Sequence, residues 1–444
     1  MWVGPGELGT EAQARRLTGG SVCHHDGNYM KHAPLLVLAA ALHAQTTPDP
    51  AETLSQARLK IGADMQRLPK YTCVQTIARS YFARTPAAAS CDKASADKKK
   101  GRTSLHLDLT DRVRLVVAED DNHEIHSWPG AGQFDGGDID ELINRGPVAT
   151  GSFGAHLVDV FENDGAQFDF IGDKTEAGHR IFTYGYRVAE EMSHYKIHTD
   201  NNWAITAYDG TFDIDADSLE LLRITVNTPE VAGERGLCAA QTSLEFARAR
   251  IGAGDLLLPS LSQFHTVHRG SLETNSTSAF TSCREFQTLG VGVSDAKPAT
   301  GAKSRNALPL KTELVLRLDA DLDSDTVAAG DPVTATLVRD AHDPKLPENI
   351  LIRAGAVAHG RISRMEHRLT GKPSFTFGIA WRSIEIPGVS WPLHVEIPPH
   401  LNPGQPVAAP GPGQPFDALL FETQAKRHVV KEGSVMTWVV IEAR

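Results

Sequence analysis

Alternation of apolar and polar residues with a period of two dominates this chain of 444 residues. This pattern is typical of antiparallel strands that bury one face and expose the other. We therefore predict a mainly β protein of the α+β class. Its expected parts are an N-terminal curved antiparallel sheet or half-barrel with covering helices, and a C-terminal small β-barrel or sandwich. The clearest runs on one face are Leu105, Leu107 and Leu109; Val113, Leu115 and Val117; Phe168 and Phe170; and Phe182, Tyr184, Tyr186 and Val188.

Two helices are predicted among the strands. Asp49 can cap the first, Pro50 suits its first position, and Pro69 ends the pattern. The second is predicted over 151–163, with Ser152 as its cap. The first helix carries apolar residues at helical spacing: Leu54, Ala57, Ile61, Met65 and Leu68.

A hairpin is predicted where residues 203–212 meet 219–226 across Asp215 to Asp217, because aspartate favours turns. Residues 290–308 consist mainly of Gly, Ala, Ser, Lys and Pro and predict a linker between domains at 45–289 and 309–444. A flexible loop is predicted at 398–415. Further strands are predicted at 71–77, 243–251, 263–269, 278–286, 312–318, 332–338, 350–352, 356–362, 375–386, 391–397 and 434–442.

An internal start at Met30 has the layout of a secretory signal. Lys31 precedes the apolar run Ala33 to Leu42, and Ala44 suits the cleavage position. The run is too short to span a bilayer, and a short buried helix is the alternative. We predict a signal peptide at 30–44, with 1–29 a disordered or untranslated extension. The mature protein is expected to be periplasmic or secreted, without a transmembrane anchor.

Net charge and cysteine content restrict the possible partners. A formal charge of −11 argues against nucleic acid, which requires a clustered basic face. Four cysteines follow the signal, and an even number in an exported chain predicts two disulfides. Three connectivities are possible, and loop closure favours the local pairs Cys73 with Cys91 and Cys238 with Cys283. None of the four has the close spacing of a zinc site.

The candidate metal motifs are better interpreted as structural residues. Asp213, Asp215 and Asp217 alternate, but the run lacks the glycine and the final glutamate of a calcium loop. The aspartates at 319, 321, 323 and 325 have the same defects and are expected at exposed strand ends. In a strand, His123 and His126 point to opposite faces, so they should not share a metal. We predict no metal site and no cofactor.

No catalytic residue can be assigned from a motif. The segment from Gly151 to Gly154 has the wrong spacing for a serine nucleophile elbow, and the glycines of 130–136 do not open a βαβ unit. Asn275 begins a glycosylation sequon that carries little weight in a bacterial protein. The remaining histidines form no ligand motif: His179, His194, His198, His265, His268, His359, His367 and His394.

Residues 45–290 resemble an uncharacterised family of secreted bacterial proteins. The motifs that carry this resemblance are Leu68-Pro-Lys-Tyr-Thr-Cys73, Ser127-Trp-Pro-Gly130, Tyr208-Asp-Gly210 with Asp215, Leu257-Leu-Pro259 and Cys283-Arg-Glu-Phe286. The order of helix, long meander and hairpin is also similar to the half-barrel of outer-membrane lipoprotein carriers (LolA-like). That resemblance implies a curved sheet that holds acyl chains beneath its helices.

Residues 309–444 are similar to small β modules of envelope and secretion-apparatus proteins, with the TrbI-like part of conjugation machinery as the comparison. The similarity lies in Ala329-Gly-Asp-Pro-Val-Thr-Ala335 and in the run from Leu351 to Gly360. In both segments a Gly-containing turn leads into or between alternating strands. The resemblance implies a structural role.

Together these observations favour an exported binding or structural protein that is not an enzyme. A lipid or other apolar ligand is the expected cargo, held in a pocket lined by the strand from Phe182 to Val188. The faces of the sheet could equally be closed by packing against the two predicted helices. Two alternatives stay open. One is a secreted hydrolase with a dispersed active site, and the other is a component of an envelope assembly that binds envelope proteins through 309–444.

Overall fold

The computed structural model gives a mainly β, α+β architecture in which every strand pairing of the named strands is antiparallel. The predicted signal peptide at 30–44, the extension at 1–29 and most of the linker at 290–308 lie outside the described residues. In the described part of the chain, no helix combines the length and apolar character required to cross a lipid bilayer. The structure describes residues 48–88, 90–92, 100–101, 104–120, 123–131, 139–143, 146, 155–162, 165–193, 195–199, 202–229, 236–285, 307–386, 389–409 and 416–443.

Helix α1 (Pro50–Arg67) has the predicted start and end. The Asp49 side chain accepts a hydrogen bond from the amide of Ala51 at 2.8 Å, and the helix stops before Pro69. The second helix, predicted over 151–163, is described over 155–162, and all of these residues are helical. They form α3 (Ala155–Leu157) and a π-helical turn (Val158–Glu162), and the expected cap Ser152 lies outside the described residues. A four-residue helix, α2 (Ile139–Leu142), was not predicted.

The N-terminal region is a ten-stranded antiparallel sheet. Its order is β4-β5-β8-β9-β10-β11-β12-β1-β2-β3, so the last long strand returns beside the first. Among the described residues no pairing joins β4 to β3, and the sheet does not close. The strands are β1 (Tyr71–Ala88), β2 (Ser104–Asp120), β3 (His123–Ser127), β4 (Ala166–Glu176), β5 (His179–Val188), β6 (Lys196–Thr199), β7 (Asn202–Ile205), β8 (Tyr208–Asp215), β9 (Leu221–Thr228), β10 (Leu237–Ile251), β11 (Gly254–His268) and β12 (Gly270–Glu285).

The C-terminal region has shorter strands around a separate core. Its order is β21-β24-β13-β15-β18-β19, and the free side of β19 pairs with both β20 and β22. The strands are β13 (Glu313–Leu318), β14 (Leu322–Asp323), β15 (Pro332–Leu337), β16 (Ala341–His342), β17 (Ile350–Ile352), β18 (Val357–Arg368), β19 (Ser374–Ile386), β20 (Val389–Pro392), β21 (Val395–Glu396), β22 (Ala418–Glu422), β23 (Val429–Val430) and β24 (Val435–Val440).

The two regions meet along the outer side of β2. Residues 116–120 pair with β3, whereas residues 109–111 pair with 366–368 of β18. Between these contacts Ala329 forms a parallel bridge with Val113 and exchanges backbone hydrogen bonds with Arg112 and Arg114. Both oxygens of Asp331 accept hydrogen bonds from the Arg114 guanidinium. The junction is therefore built from backbone pairing reinforced by an ion pair.

Two disulfides are present, but the preferred local pairing is wrong. Cys73 is bonded to Cys283 and Cys91 to Cys238, at sequence separations of 210 and 147. Loop-closure entropy favours short loops in an unfolded chain, and it takes no account of which strands become neighbours in the folded sheet. In the folded sheet β12 lies directly beside β1, which brings Cys283 to Cys73 without any further loop to close.

One further expectation needs correction, and one strand was missed. The hairpin is formed by β8 and β9, and residues 202–205 pair instead with β6. The loop predicted at 398–415 is described over 398–409, where a 3-10 turn (Pro399–Leu401) is followed by Asn402, whose side chain hydrogen-bonds to the backbone of Thr437. Strand β22, with its buried Ala418 and Leu419, was missed because its apolar run is only four residues long and follows a segment rich in Pro and Gly.

Candidate functional site: the aromatic face of the N-terminal sheet

The face of the N-terminal sheet that lies under α1 carries a continuous group of aromatic side chains. We call it the aromatic face, and its rings are Phe168, Phe170, Phe182, Tyr184, Tyr186, Tyr208 and Phe212. The Tyr184 and Phe212 rings are stacked with centroids 5.3 Å apart, and Phe161 meets Phe212 edge-on at 5.0 Å. Aromatic pairs at these distances stabilise a fold beyond the area that they bury. The face is therefore cohesive as well as apolar.

Three tyrosine hydroxyls on this face have defined partners. Tyr186 donates to the carbonyl of Thr225 at 2.6 Å, which lies within the sheet. Tyr208 donates to the carboxylate of Asp159 at 3.2 Å and Tyr184 to the carbonyl of Pro50 at 2.8 Å, so these two reach the covering segments. Burial raises the pKa of Tyr184 to about 12 and raises the pKa of Tyr186 and Tyr208 further. All three hydroxyls remain donors near neutral pH.

Helix α1 covers the aromatic face with its apolar side. Its buried residues are Thr53, Ala57 and Ile61. Leu54 and Met65 are partly buried against the same face, while Leu59 points away and is 74% exposed. The Arg58 guanidinium lies 5.1 Å from the centre of the Phe168 ring and donates to the carbonyl of Phe161 at 3.2 Å. The helix is thus held to the face by limited apolar contact and a few polar contacts.

The aromatic face reaches the protein surface at β4, a strand that pairs only with β5 among the described strands. Phe170 is 46% exposed, and its ring lies 5.5 Å from Phe182 and 5.6 Å from Tyr184. A register shift follows Phe170, and the next side chain, Ile171, is 60% exposed. An apolar path therefore connects solvent at β4 with the centre of the buried face.

The expected pocket along the strand from Phe182 to Val188 is not open. The inward side chains of β5 are at most 2% exposed. They pack against Ala57, Val160 and Phe161 and fill the space beneath the helices. Sequence alternation indicates which side chains face inward, but it does not indicate how closely the covering helices approach them.

The first aspartate run has the structural role predicted for it. Asp215 accepts hydrogen bonds from the amides of Asp217 and Ser218, both at 2.9 Å, and shapes the turn. Although burial opposes it, these bonds lower the pKa of Asp215. Asp213 accepts from the Thr183 hydroxyl at 2.7 Å.

The second aspartate run also lies at strand ends. Asp321 contacts Lys431 at 3.0 Å and accepts from the amide of Glu432, and Asp323 pairs with Arg427. Across the described residues, no group of three metal-ligating side chains has the geometry to hold an ion.

Of the two histidines of β3, His126 has a described side chain. His126 is buried beside β2, opposite Val117, and burial lowers its pKa to about 4. His123 pairs with Asp120, and its side chain lies outside the described part of the chain. Most of the glycine segment at 130–136 also lies outside it, as does His194. Asn275 is exposed on β12.

Comparisons with known proteins return structural matches alone. No family model matches the chain, and no curated protein matches it. A putative outer membrane lipoprotein-sorting protein domain from Vibrio parahaemolyticus is 11% identical, with a TM-score of 0.27 over 54% of this chain and 94% of that one. A LolA superfamily protein from Nitrosomonas europaea is 10% identical, with a TM-score of 0.25 over 52% and 93%. A DUF1329 family protein from Desulfovibrio piger is 11% identical, with a TM-score of 0.25 over 56% and 96%.

Sequence reasoning missed the polar contacts that hold the covering helix, namely Tyr184 with Pro50 and Arg58 with Phe161. The available signal for Tyr184 was a hydroxyl among apolar inward positions, since a buried hydroxyl needs a partner.

Proposed function

We propose that this chain is an exported, non-enzymatic binding protein that holds the hydrocarbon chain of a lipid, or a similar apolar ligand, on its aromatic face. The observation that carries the proposal is the lightly held cover. A broad aromatic surface is shielded by a helix in which Ile61 is the only large side chain that is fully buried against it, while Leu54 and Met65 are only partly buried. Because the face is filled in the closed form, the ligand takes the place of α1 and enters along Phe170 at β4.

The energies are compatible with this exchange. Burying Ala57 and Ile61 and partly burying Leu54 and Met65 stabilises the closed position of α1 by about 5 kcal/mol, and its two polar contacts add about 1 kcal/mol each. An acyl chain gains about 0.8 kcal/mol for each methylene that it buries, so a chain of about ten buried methylenes exceeds the contribution of the helix. Shorter chains should bind weakly.

Two matched tyrosine variants test the exchange. Tyr184→Phe removes the hydrogen bond to Pro50 that holds the helix, whereas Tyr186→Phe removes a hydrogen bond within the sheet. Hexadecanoate binding is measured by displacement of a fluorescent fatty acid. It should be about fivefold tighter in Tyr184→Phe, because this variant loses a hydrogen bond of about 1 kcal/mol that stabilises the closed position of the helix. Tyr186→Phe should match the unmodified protein.

Hydrogen exchange provides the structural readout. When hexadecanoate binds, amide exchange in residues 50–67 should increase while exchange in β8 and β9 stays slow. Absence of hexadecanoate binding in the unmodified protein and in Tyr184→Phe would reject the proposal. An equal gain in both tyrosine variants would show that helix release is not the mechanism.

A groove in the C-terminal region favours a second candidate, a component of an envelope assembly. This groove of about 890 Å³ is lined by residues 350–357 and by Ile386 and Val389. Ile350 and Val389 are exposed, and exposed apolar patches often mark interaction sites. If the candidate is right, the protein in an envelope extract should elute as a larger complex that Val389→Asp dissociates. Elution of the unmodified protein as a monomer would reject this second candidate function.

Export also belongs to the proposal. Two disulfides support it, because disulfides persist in oxidising compartments such as the periplasm. We infer cleavage after Ala44 and a division into domains at 45–289 and 309–444. Intact-mass measurement of the unreduced, exported protein should give a chain that begins at Gln45 and lacks free thiols. A chain beginning at Met1 would contradict this part of the proposal.

A further inference from the structure

The groove of the C-terminal region is bordered by a strand that has one unpaired side. Strand β20 contributes Val389 and Ser390 to the lining, and among the described strands it pairs only with β19. Another part of the lining is residues 350–352 of β17, which in the same part of the chain pairs only with β16. The unpaired side of an edge strand is a template for a further strand. The groove therefore lies where the C-terminal sheet can be extended.

The hydrogen-bond pattern of β19 and β20 shows which backbone groups face the unpaired side. The Leu393 amide donates to the Arg382 carbonyl at 2.9 Å, so these two residues form a hydrogen-bonded pair. Hydrogen-bonded and non-hydrogen-bonded pairs alternate along an antiparallel ladder. Counted from that pair, Ser390 lies opposite Glu385 in a non-hydrogen-bonded pair. The N–H and C=O groups of Ser390 therefore point away from β19.

Pro392 lies two residues further along β20 and has the same orientation. Proline has no N–H group, and within sheets it is found at edges where no ladder hydrogen bond is needed. Its position agrees with an unpaired side for β20. Proline also limits an added strand to hydrogen bonds with Ser390 and with the Pro392 carbonyl. A segment that pairs here is therefore short.

The side chains along the groove are apolar and incompletely buried. Ile350 and Val389 are exposed, while Leu351 and Ile386 are only partly buried against the C-terminal core. Successive side chains of a strand point to opposite faces. A strand with apolar residues at every second position can therefore cover this set with one face and keep polar residues in water.

The charges on the groove balance one another. Arg353 and Glu385 are the ionisable side chains among its described lining residues, and both are exposed. Their contacts, with Asp340 at 4.0 Å and His359 at 3.4 Å, leave most of each charged group in water. A partner with one acidic and one basic residue matches this lining in charge. Because exposed ion pairs contribute at most about 1 kcal/mol, apolar and backbone contacts have to supply most of the affinity.

We propose that this groove binds a short extended segment of another protein, which adds as a strand to β20. The segment hydrogen-bonds to the Ser390 backbone and lays its apolar side chains against Ile350 and Val389. Its sequence alternates apolar and polar residues and has no net charge. This inference rests on the second candidate function, the envelope assembly, and specifies the form of the partner. It is independent of the lipid proposed for the aromatic face.

Fluorescence anisotropy on the full exported chain tests strand addition with two peptides. The probe is fluorescein-labelled Asp-Thr-Val-Thr-Val-Thr-Val-Lys amide, in which the valines alternate, and we expect saturable binding of one peptide per chain. The control is Asp-Val-Val-Val-Thr-Thr-Thr-Lys amide with the same label, which has the same composition with the valines grouped. It should bind at least tenfold more weakly, because an extended chain cannot present three consecutive valines on one face.

Two variants at one position separate backbone recognition from side-chain contact. Ser390→Pro removes the amide that an added strand requires and should weaken binding of the alternating peptide at least tenfold. Ser390→Ala keeps this amide and should bind as the unmodified protein does. Since β19 does not use the Ser390 amide, both variants should unfold at temperatures near that of the unmodified protein.

Three results would overturn the proposal. They are no binding of the alternating peptide, equal binding of the grouped peptide, and equal binding by Ser390→Pro and Ser390→Ala. The two peptides are compared on the unmodified protein, so this part of the test stands even if Ser390→Pro does not fold. A larger complex in an envelope extract that Val389→Asp dissociates, together with no binding of the alternating peptide, would retain the second candidate function and reject strand addition.

Discussion

The N-terminal and C-terminal regions bury their sheets in different ways. The N-terminal sheet has strands of up to 18 residues, and its aromatic face is covered by helices that belong to no sheet. The C-terminal region has shorter strands that supply nearly all of its core from their own inward residues, including the perpendicular pair Trp381 and Trp438. A sheet covered by a separate helix can be uncovered without breaking strand pairs. The N-terminal region is therefore the one whose cover an apolar ligand can replace without breaking strand pairs.

The largest expected difference between the regions concerns their cross-links. Both disulfides lie in the N-terminal region, and the sequence from 307 to 444 contains no cysteine. Replacing Cys73 and Cys283 together by serine should cost roughly 5 kcal/mol in the free energy of unfolding of the N-terminal sheet, because the loop they close is long. Urea titration with circular dichroism follows both regions together. Tryptophan fluorescence reports on the second region alone, through Trp381, Trp391 and Trp438, once Trp128 and Trp203 of the first region are replaced by phenylalanine. If both signals shift together, the regions unfold as one unit.

The junction supplies the next test. Gly330 has a φ of +104°, and a Cβ atom there would overlap the carbonyl of Arg114 and the Trp128 ring. Gly330→Ala should therefore destabilise the protein by about 4 kcal/mol through strain and overpacking combined. Gly355→Ala is the matched control, because Gly355 also has a positive φ but open space around it. Equal losses in the two variants would mean that the junction tolerates the added methyl group.

Acid pH should weaken the N-terminal region through His126. Its pKa is about 4 when folded and 6.5 when unfolded, so the unfolded state binds the proton more readily. The contribution of His126 to the free energy of unfolding is therefore complete above pH 6.5, and the free energy of unfolding falls by about 3 kcal/mol as the pH decreases to 4. His126→Gln cannot titrate and should flatten this slope in denaturant titrations at several pH values. In the C-terminal region burial also lowers the pKa of His367 and His428. An unchanged slope in His126→Gln would assign the pH effect to these or other groups.

The smallest effect concerns the cap of α1. Asp49→Ala removes the acceptor for the Ala51 amide and should cost about 1 kcal/mol of helix stability. If α1 is a removable cover, this loss should appear as faster amide exchange in residues 50–67, with little change in the global unfolding midpoint. A matching fall in the global midpoint would show that the helix and the sheet unfold together.

The sequence was most informative where the signal is local. Asp49, Pro50 and Pro69 defined α1, and alternation located β5 and most C-terminal strands within a few residues. The partners of each strand could not be predicted, because period-two alternation is the same whichever strand lies alongside. That limit produced the wrong disulfide pairing and hid the return of β12 to β1.

The contact of residues 108–114 of β2 with the C-terminal chain has a consequence for truncated forms. A fragment that ended in the linker would expose the unpaired N–H and C=O groups of this stretch, with apolar Leu109 and Val113 beside them. Such a margin is a template for another copy of the same fragment. By pairing with this stretch of β2, the C-terminal region covers an edge of the N-terminal sheet that would otherwise favour aggregation.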